Sequence, residues 1–145
     1  MSAHDPRTIQ RLPAEQAYAA ELQRLAAADR GERPAGWRLS PRLVRAFVLG
    51  DQALGVARKF HGDDPLVERC IVTLMSNRGL LLVGEPGTAK TMLSELLSAA
   101  ISGSSTCTLQ GTAGTTTDQM LYGWNYALLL AEGPSPRALV RGPIH

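Results

Sequence analysis

The amino-acid sequence predicts an α/β fold, and three consecutive features near the middle of the chain predict it. Residues 80–83 are all apolar, which is typical of a short buried strand. Residues 84–91 form a glycine-rich turn that closes with Lys-Thr. From residue 92 to residue 101, apolar residues recur with the period of a helix. Strand, turn and helix in this order predict the opening of a parallel, three-layer α/β sheet.

The turn has the composition of a loop that binds nucleotide phosphates. Gly84 and Gly87 let the backbone turn tightly and approach phosphate oxygens, while Pro86 fixes one φ angle. Lys90 supplies a charge for the β- and γ-phosphates and is the predicted catalytic residue. The hydroxyl of Thr91 is the predicted Mg²⁺ ligand. The predicted site therefore takes a nucleotide and Mg²⁺, and its residues are Gly84, Glu85, Pro86, Gly87, Thr88, Ala89, Lys90 and Thr91.

Ala89 departs from the general pattern, because glycine usually precedes the lysine of such a loop. The added methyl group is tolerated if Ala89 has a helical φ and its side chain points away from phosphate. A Gly-Pro-Gly turn between a core strand and a core helix can also bind nothing. The predicted strand before the loop and helix after it favour nucleotide binding over that purely structural role.

The composition excludes several classes of protein. A hydrophobic content of 44% predicts a globular core, and 15 Lys+Arg against 13 Asp+Glu give no charge signal for nucleic acid. Cys70 and Cys107 fit no metal or redox spacing, so we expect buried thiols in a reducing compartment. No apolar run approaches the ~20 residues that cross a bilayer, and the N-terminus lacks signal-peptide order. We expect a cytoplasmic protein without a membrane partner.

The N-terminal part predicts one helix and a linker. Residues 13–29 place Tyr18, Leu22 and Leu25 on one narrow apolar stripe. This helix can pack on the core, pack on a neighbouring subunit, or remain a solvated extension. Residues 30–39 contain glycine and proline at the spacing of a linker.

Two Xaa-Pro pairs, Ser40-Pro41 and Asp64-Pro65, predict the starts of two further helices. The predicted buried faces are Leu43, Val44, Phe47 and Val48 in the first, and Leu66, Val67, Cys70, Ile71, Leu74 and Met75 in the second. Gly50 and Gly55 weaken the pattern and are candidates to end or bend the first helix, and Gly79 ends the second. His61 lies in the loop between them and is a candidate for contact with the adenine base, although a surface histidine is the commoner role.

The helix after the glycine-rich turn closes at Gly103, and residues 105–109 predict a second strand. Residues 111–117 form a polar loop. Thr116 and Gln119 have the spacing of a capping box that opens a short helical turn after it.

The C-terminal part is less clear in pattern. Residues 124–131 are compatible with a strand or a helix. Residues 133–136 are a turn, and residues 137–141 are a short apolar stretch. We predict a β-hairpin with that turn at its tip.

Residues 84–91, with Ala89 before Lys90, resemble the P-loop of MoxR-type AAA+ ATPases. Residues 93–103, the stretch from 110 to 130, and residues 142–144 are also similar to that family. The resemblance runs from residue 40 to residue 145. It implies that residues 40–145 are the first part of an AAA+ P-loop ATPase domain, an incomplete three-layer P-loop core. Residues 1–39, which the resemblance does not cover, are predicted to be a helical extension and linker.

The family's known properties are what the resemblance implies for this chain. They are Mg-ATP binding, assembly into a ring of usually six subunits, and chaperone-like remodelling of client proteins. Members of the family often act alongside a partner protein that contains a von Willebrand A domain. By position, Gly84, Gly87, Lys90 and Thr91 carry over as the phosphate and Mg²⁺ residues, and Ala89 agrees with the family pattern.

Hydrolysis in such proteins also needs an apolar strand ending in Asp-Glu, a polar sensor and a neighbour's arginine. Residues 128–132 superficially suggest that strand, but Ala131 stands where the metal-holding aspartate belongs. We therefore expect a truncated chain that binds ATP and hydrolyses little. The alternatives are a non-catalytic P-loop interaction module and a small-molecule kinase, which the scarcity of charges after Gly103 disfavours.

Overall fold

The structure is a computed structural model that describes residues 11–76, 78–116 and 120–142. Contacts divide the chain into two compact units, Met1–Ser105 and Thr106–His145. In the described residues the first unit is helical, and the second contains a two-stranded sheet and the helix Tyr126–Glu132. In chain order the elements are α1 (Ala14–Ala17), α2 (Ala19–Ala28), α3 (Pro41–Leu49), α4 (Asp64–Leu74), α5 (Lys90–Ile101), β1 (Tyr122–Trp124), α6 (Tyr126–Glu132) and β2 (Leu139–Arg141).

Helix α3 is the centre of the first unit and contacts both α4 and α5. It begins as the sequence predicts, with Ser40 at the N-cap and Pro41 in the first turn. Val44, Phe47 and Val48 are fully buried. Gly50 ends the helix at φ 84°, and a Cβ on this residue would lie 2.8 Å from a backbone nitrogen. Only glycine satisfies both the conformation and the close approach there.

Helix α4 also follows the prediction, although it is shorter. Its N-cap is Asp63, and Val67, Cys70 and Ile71 are its buried residues. The helix stops at Leu74, well before the predicted end at Gly79. The prediction that Met75 is buried is wrong, because it follows the end of the helix and is 48% exposed. Burial raises the pKa of the Cys70 thiol, which keeps it protonated and unreactive.

Cys107, by contrast, is exposed. The prediction that both thiols are buried is therefore wrong for this residue, because residues 105–109 do not enter the core.

The predicted single helix over residues 13–29 is broken at Tyr18, whose φ of −117° and ψ of 23° separate α1 from α2. The Tyr18 ring packs edge-on against Phe47, with centroids 5.7 Å apart. Ala14 and Leu25 are buried against the same core. Of the three roles that the sequence leaves open, packing on the chain's own core is the one observed.

A buried lysine fastens α2 to α3. The Lys59 ammonium lies 2.5 Å from Glu21 Oε1, 3.0 Å from the Phe47 carbonyl oxygen and 3.1 Å from the Ala57 carbonyl oxygen. Its side chain is 4% exposed, and the rings of Tyr18 and Phe47 lie 5.0 and 4.3 Å from the nitrogen. All three N–H groups have an acceptor, so the cost of burying the charge is offset by hydrogen bonds, an ion pair and two aromatic faces.

The linker at residues 30–39 is held by the side chain of Asp29. One carboxylate oxygen accepts from the Gly31 N–H at 3.0 Å, and the other accepts from the Ser40 N–H at 2.7 Å. Arg33 lies 3.2 Å from the second oxygen. Burial raises the pKa of the Asp29 carboxyl, but these partners outweigh it and hold the pKa below its ordinary value. The linker is thus fixed at both ends.

Helix α1 is tied to the end of the first unit through Glu15. This carboxylate accepts hydrogen bonds from the Ser105 hydroxyl at 2.6 Å and the Ser105 N–H at 3.0 Å. The hydroxyl bond is the main reason that the pKa of Glu15 is lowered. An ion pair of 3.2 Å between Arg11 and Glu95 adds a second connection, here to α5.

The two predicted strands of a parallel sheet do not form in the described residues. Residues 80–83 and residues 105–109 have no strand ladder. Leu80 and Leu82 pack partly against the core, whereas Leu81 and Val83 are 84% and 86% exposed. This alternation has the period of a strand, but a ladder needs a neighbour that supplies hydrogen bonds.

In the second unit, β1 pairs with β2 in antiparallel fashion, with Tyr122 opposite Arg141 and Trp124 opposite Leu139. The predicted β-hairpin with residues 133–136 at its tip is therefore wrong: an antiparallel pair forms, but helix α6 lies between its strands, and residues 124–131 are not a strand. They fall mainly in α6, because the side-chain oxygen of Asn125 caps the helix by accepting from two backbone N–H groups. The predicted capping box at Thr116 depends on Gln119, which lies outside the described residues.

Among the helices in the described part of the chain, none combines the length and apolar character that a bilayer crossing needs.

We predict that Glu21→Ala lowers the free energy of unfolding by about 3 kcal/mol, because it leaves the buried Lys59 charge without its carboxylate. Urea unfolding followed by circular dichroism measures the loss. The matched control is Glu68→Ala, which removes the carboxylate of a half-exposed ion pair with Arg45 and should cost within about 0.5 kcal/mol. Equal losses from the two substitutions would contradict the anchoring role of Lys59.

Candidate functional site

The glycine-rich loop lies directly before α5, and α5 fixes its position. Helix α5 begins at Lys90, and its inner face is fully buried. The buried residues are Leu93, Leu96, Leu97, Ala99 and Ala100. Residues 84–89 are exposed, so the loop itself contributes little burial. The packed helix therefore holds the lysine end of the loop in place.

The ammonium of Lys90 lies inside the loop. It donates to the Gly84 carbonyl oxygen at 2.8 Å, to the Glu85 carbonyl oxygen at 2.5 Å and to Thr88 Oγ1 at 3.0 Å. The Thr88 hydroxyl in turn donates to the Glu85 carbonyl oxygen at 2.8 Å. Lys90 thus connects the first residues of the loop to the last, and the loop closes around a positive charge.

Two loop residues have a positive φ: Gly87 at 83° and Ala89 at 57°. Ala89, with ψ 24°, is left-handed, and within the described residues no other non-glycine residue has a positive φ. The sequence makes tolerance of the methyl group conditional on a helical φ at Ala89. The observed φ is left-handed instead of right-handed, and this conformation costs alanine about 1–2 kcal/mol. The position where glycine is usual has the conformation that glycine favours.

Glycine is less strictly required at position 84 than at position 87. A Cβ on Gly84 would lie 3.6 Å from Thr88 Oγ1, an ordinary contact distance. Its φ is not in the left-handed region. The free loop therefore depends on Gly87 for its shape.

The start of α5 is suited to an anion. The Ala89 side chain caps none of the N–H groups of the first turn, and the helix dipole places positive potential there. Together with the Lys90 ammonium, these groups fit the phosphates of a nucleotide. Thr91 is exposed in the same turn.

No group of three or more His, Cys, Asp or Glu side chains able to hold a metal occurs in the described residues. A Mg²⁺ ion at this loop would thus take Thr91 and phosphate oxygens as ligands, which matches the preference of Mg²⁺ for few protein oxygens.

The eight sequence-predicted residues all lie in the loop and the first turn of α5. Among them, the structure brings Gly84, Glu85, Thr88 and Lys90 into hydrogen-bond contact. Pro86 lies at the exposed tip of the loop. His61 is exposed in the segment before α4, and its contact with adenine stays a prediction.

The sequence analysis missed the hydroxyl bonds of Thr88. The spacing contains a signal for one of them, because a threonine three residues after a turn residue often hydrogen-bonds back to that residue's carbonyl. Its contact with Lys90 has no such local signature.

Comparisons with known proteins agree with the position of this loop. Residues 79–144 match the family model of the AAA domain, dynein-related subfamily. Over 137 residues the chain is 54% identical to YehL, an uncharacterized protein of Escherichia coli (strain K12). The alignment covers 94% of this chain and 38% of that protein, so the chain spans well under half of the relative's length. No solved structure matches the chain.

The AAA-domain match begins just before the glycine-rich loop and includes it. It supports a P-loop nucleotide-binding fold of the AAA+ class. The helices before residue 79 lie outside this match, although the alignment with the bacterial relative covers nearly the whole chain.

We predict that Ala89→Gly raises the free energy of unfolding by up to about 1 kcal/mol, because it relieves the left-handed conformation at a smaller entropic cost. The same substitution in α5, Ala99→Gly, should lower it by at least about 1 kcal/mol. Thermal and urea unfolding of the two variants provide the measurement. A loss of stability in both would show that Ala89 is not left-handed in solution.

Proposed function

We propose that this chain is the nucleotide-binding part of a MoxR-type AAA+ ATPase, and that residues 84–91 bind ATP with Mg²⁺. The observation that carries the proposal is the Lys90 ammonium, held inside a glycine-bent loop at the uncapped start of a buried helix. The AAA-domain match over residues 79–144 supports the same assignment.

Each group in the loop has a role in the proposed complex. Lys90 supplies the charge that compensates the β- and γ-phosphates, and the backbone N–H groups at the start of α5 donate to the phosphates. The Thr91 hydroxyl contributes one ligand to Mg²⁺, which bridges phosphate oxygens. Gly87 and Ala89 shape the backbone so that these groups converge.

The assembly that we propose extends beyond this chain, which corresponds to 38% of its bacterial relative. In the whole protein we propose a homo-oligomeric ring, usually a hexamer, that remodels client proteins in the cytoplasm. A protein with a von Willebrand A domain is the proposed companion. These proposals rest on the resemblance of residues 40–145 to MoxR-type proteins.

For the chain of 145 residues, we propose ATP binding with little hydrolysis. Residues 128–132, the segment that superficially suggests an Asp-Glu strand, lie in helix α6. A carboxylate in that segment is therefore not at the end of a buried strand, where it would hold Mg²⁺ and orient water. The same observation supports the alternative of a non-catalytic P-loop interaction module.

We predict that Lys90→Ala abolishes Mg-ATP binding, because the loop loses the charge that compensates the phosphates. Isothermal titration calorimetry at millimolar nucleotide measures this. Arg69→Ala, an exposed change on α4 that also removes one positive charge, is the control and should bind as the unmodified chain does. Identical binding by the Lys90 variant and the unmodified chain would refute the proposed site.

We further predict that the purified chain releases inorganic phosphate from ATP no faster than Lys90→Ala does. Nearly all of phosphoryl-transfer catalysis comes from positioning the attacking water and from stabilising charge in the transition state. Residues 128–132 do not supply the carboxylate that would position this water, because they lie in helix α6. A phosphate-release assay over hours tests this. Steady turnover that disappears in the Lys90 variant would show that a complete catalytic set is present.

A further inference from the structure

All three N–H groups of the Lys90 ammonium are already used in the free loop. Their acceptors are the carbonyl oxygens of Gly84 and Glu85 and the hydroxyl oxygen of Thr88. An ammonium has no fourth donor. A phosphate oxygen can therefore bind Lys90 only by taking the place of one of these acceptors.

The three acceptors differ in how readily they can be displaced. The two carbonyl oxygens belong to the backbone at the start of the loop, and their contacts of 2.8 and 2.5 Å are the shorter ones. Thr88 Oγ1 has the longest contact, 3.0 Å, and lies on an exposed side chain that can rotate about χ1. The hydroxyl is thus the acceptor that gives way at the lowest cost.

We propose that Thr88 is a positioning residue that controls nucleotide affinity: its hydroxyl holds one N–H of Lys90 in the free loop and must release it when a phosphate binds. This inference rests on the proposed function and deepens it. While bound to Thr88, the ammonium is directed across the loop. After release, the same N–H points to a phosphate oxygen, and the other two N–H groups stay on the loop carbonyls.

The bond from the Thr88 hydroxyl to Glu85 supports this arrangement. It fixes Oγ1 at 2.8 Å from the Glu85 carbonyl oxygen, and the same oxygen also accepts from Lys90. The Lys90 N–H polarises the Thr88 hydroxyl and so strengthens its bond to the Glu85 carbonyl oxygen, which Lys90 also contacts directly. In the free loop, the Thr88 hydroxyl therefore competes with a nucleotide phosphate for one N–H of Lys90.

The test uses the full chain and two variants of Thr88. Thr88→Val keeps the shape of the side chain but has no acceptor, whereas Thr88→Ser keeps the hydroxyl. We expect the valine variant to bind Mg-ATP about tenfold more tightly, which is the lower end of the net contribution of one hydrogen bond that involves a charged group. The serine variant should bind within about twofold of the unmodified chain. Titration calorimetry gives the dissociation constants.

A spectroscopic measurement separates this role from a merely structural one. The chain contains only two lysines, Lys59 and Lys90, so selective ¹⁵N and ¹³C labelling of lysine yields two side-chain signals. Without nucleotide, Thr88→Val should move the Lys90 signal and leave that of Lys59 unchanged, because Lys59 is buried among other partners. Thr88→Ser should move neither signal.

Weaker or unchanged Mg-ATP binding by the valine variant would overturn the inference, as would a Lys90 signal that stays in place. Serine behaving as valine would also overturn it. Equal binding by all three proteins refutes the role of Thr88 alone. Lack of binding by all three refutes the proposed nucleotide site itself, so the two failures are distinguishable.

Discussion

The structure depends on the burial of helix α5, because this burial places Lys90, the positively charged side chain of residues 84–91. Leu93, Leu96 and Leu97 lock the helix against α3 and α1. Lys90 is its first residue, so the ammonium is positioned by the packing of side chains one to two turns further along. The loop is exposed and contributes almost no apolar burial of its own. Its order comes from the Lys90 hydrogen bonds and from the backbone conformations of Gly87 and Ala89.

The N-terminal helices belong to this support. Helix α1 contacts α5, and Glu15 and Arg11 connect the N-terminal segment to Ser105 and Glu95 around that helix. The buried Lys59 then fastens α2 to the central helix α3. A segment whose role the sequence leaves open between core packing, a subunit contact and a solvated extension is thus part of the core that holds the loop. Loss of α1 and α2 would uncover apolar surface of α3 and α5, which is why these helices count as part of the folding unit.

The features that the sequence predicts well are those set by local chemistry. Ser40-Pro41 begins α3 and Gly50 ends it because N-cap residues, proline and positive-φ glycine act on their immediate neighbours. The features that it misses depend on distant partners. The break at Tyr18 accompanies packing on Phe47, and the burial of Lys59 needs a carboxylate 38 residues away.

The candidate site shows the same difference between features that follow from local chemistry and features that do not. The glycine-rich pattern predicts which residues form the site, because the backbone and charge requirements of phosphate binding are local, and that assignment stays a prediction. The left-handed conformation of Ala89 and the contact of Thr88 with Lys90 are not predicted by this pattern, since both depend on how the loop closes. The strands predicted at residues 80–83 and 105–109 failed because apolar content alone does not supply a hydrogen-bonding neighbour.

The two ends of the loop are therefore anchored unequally. Its C-terminal end is the first turn of a packed helix, whereas its N-terminal end follows residues 80–83, which alternate between partial burial and nearly full exposure. Leu81 and Val83 leave apolar side chains in water, which opposes a fixed position for Gly84 and Glu85. The Lys90 bonds to those two carbonyl oxygens are what oppose this loosening. A nucleotide that draws Lys90 away from both carbonyls would have to order the N-terminal end itself, and part of its binding free energy would be lost to that ordering. Retention of the carbonyl contacts, with displacement of the Thr88 hydroxyl alone, keeps this cost low. The weak anchoring of residues 80–83 thus constrains which of the three Lys90 hydrogen bonds a nucleotide can displace.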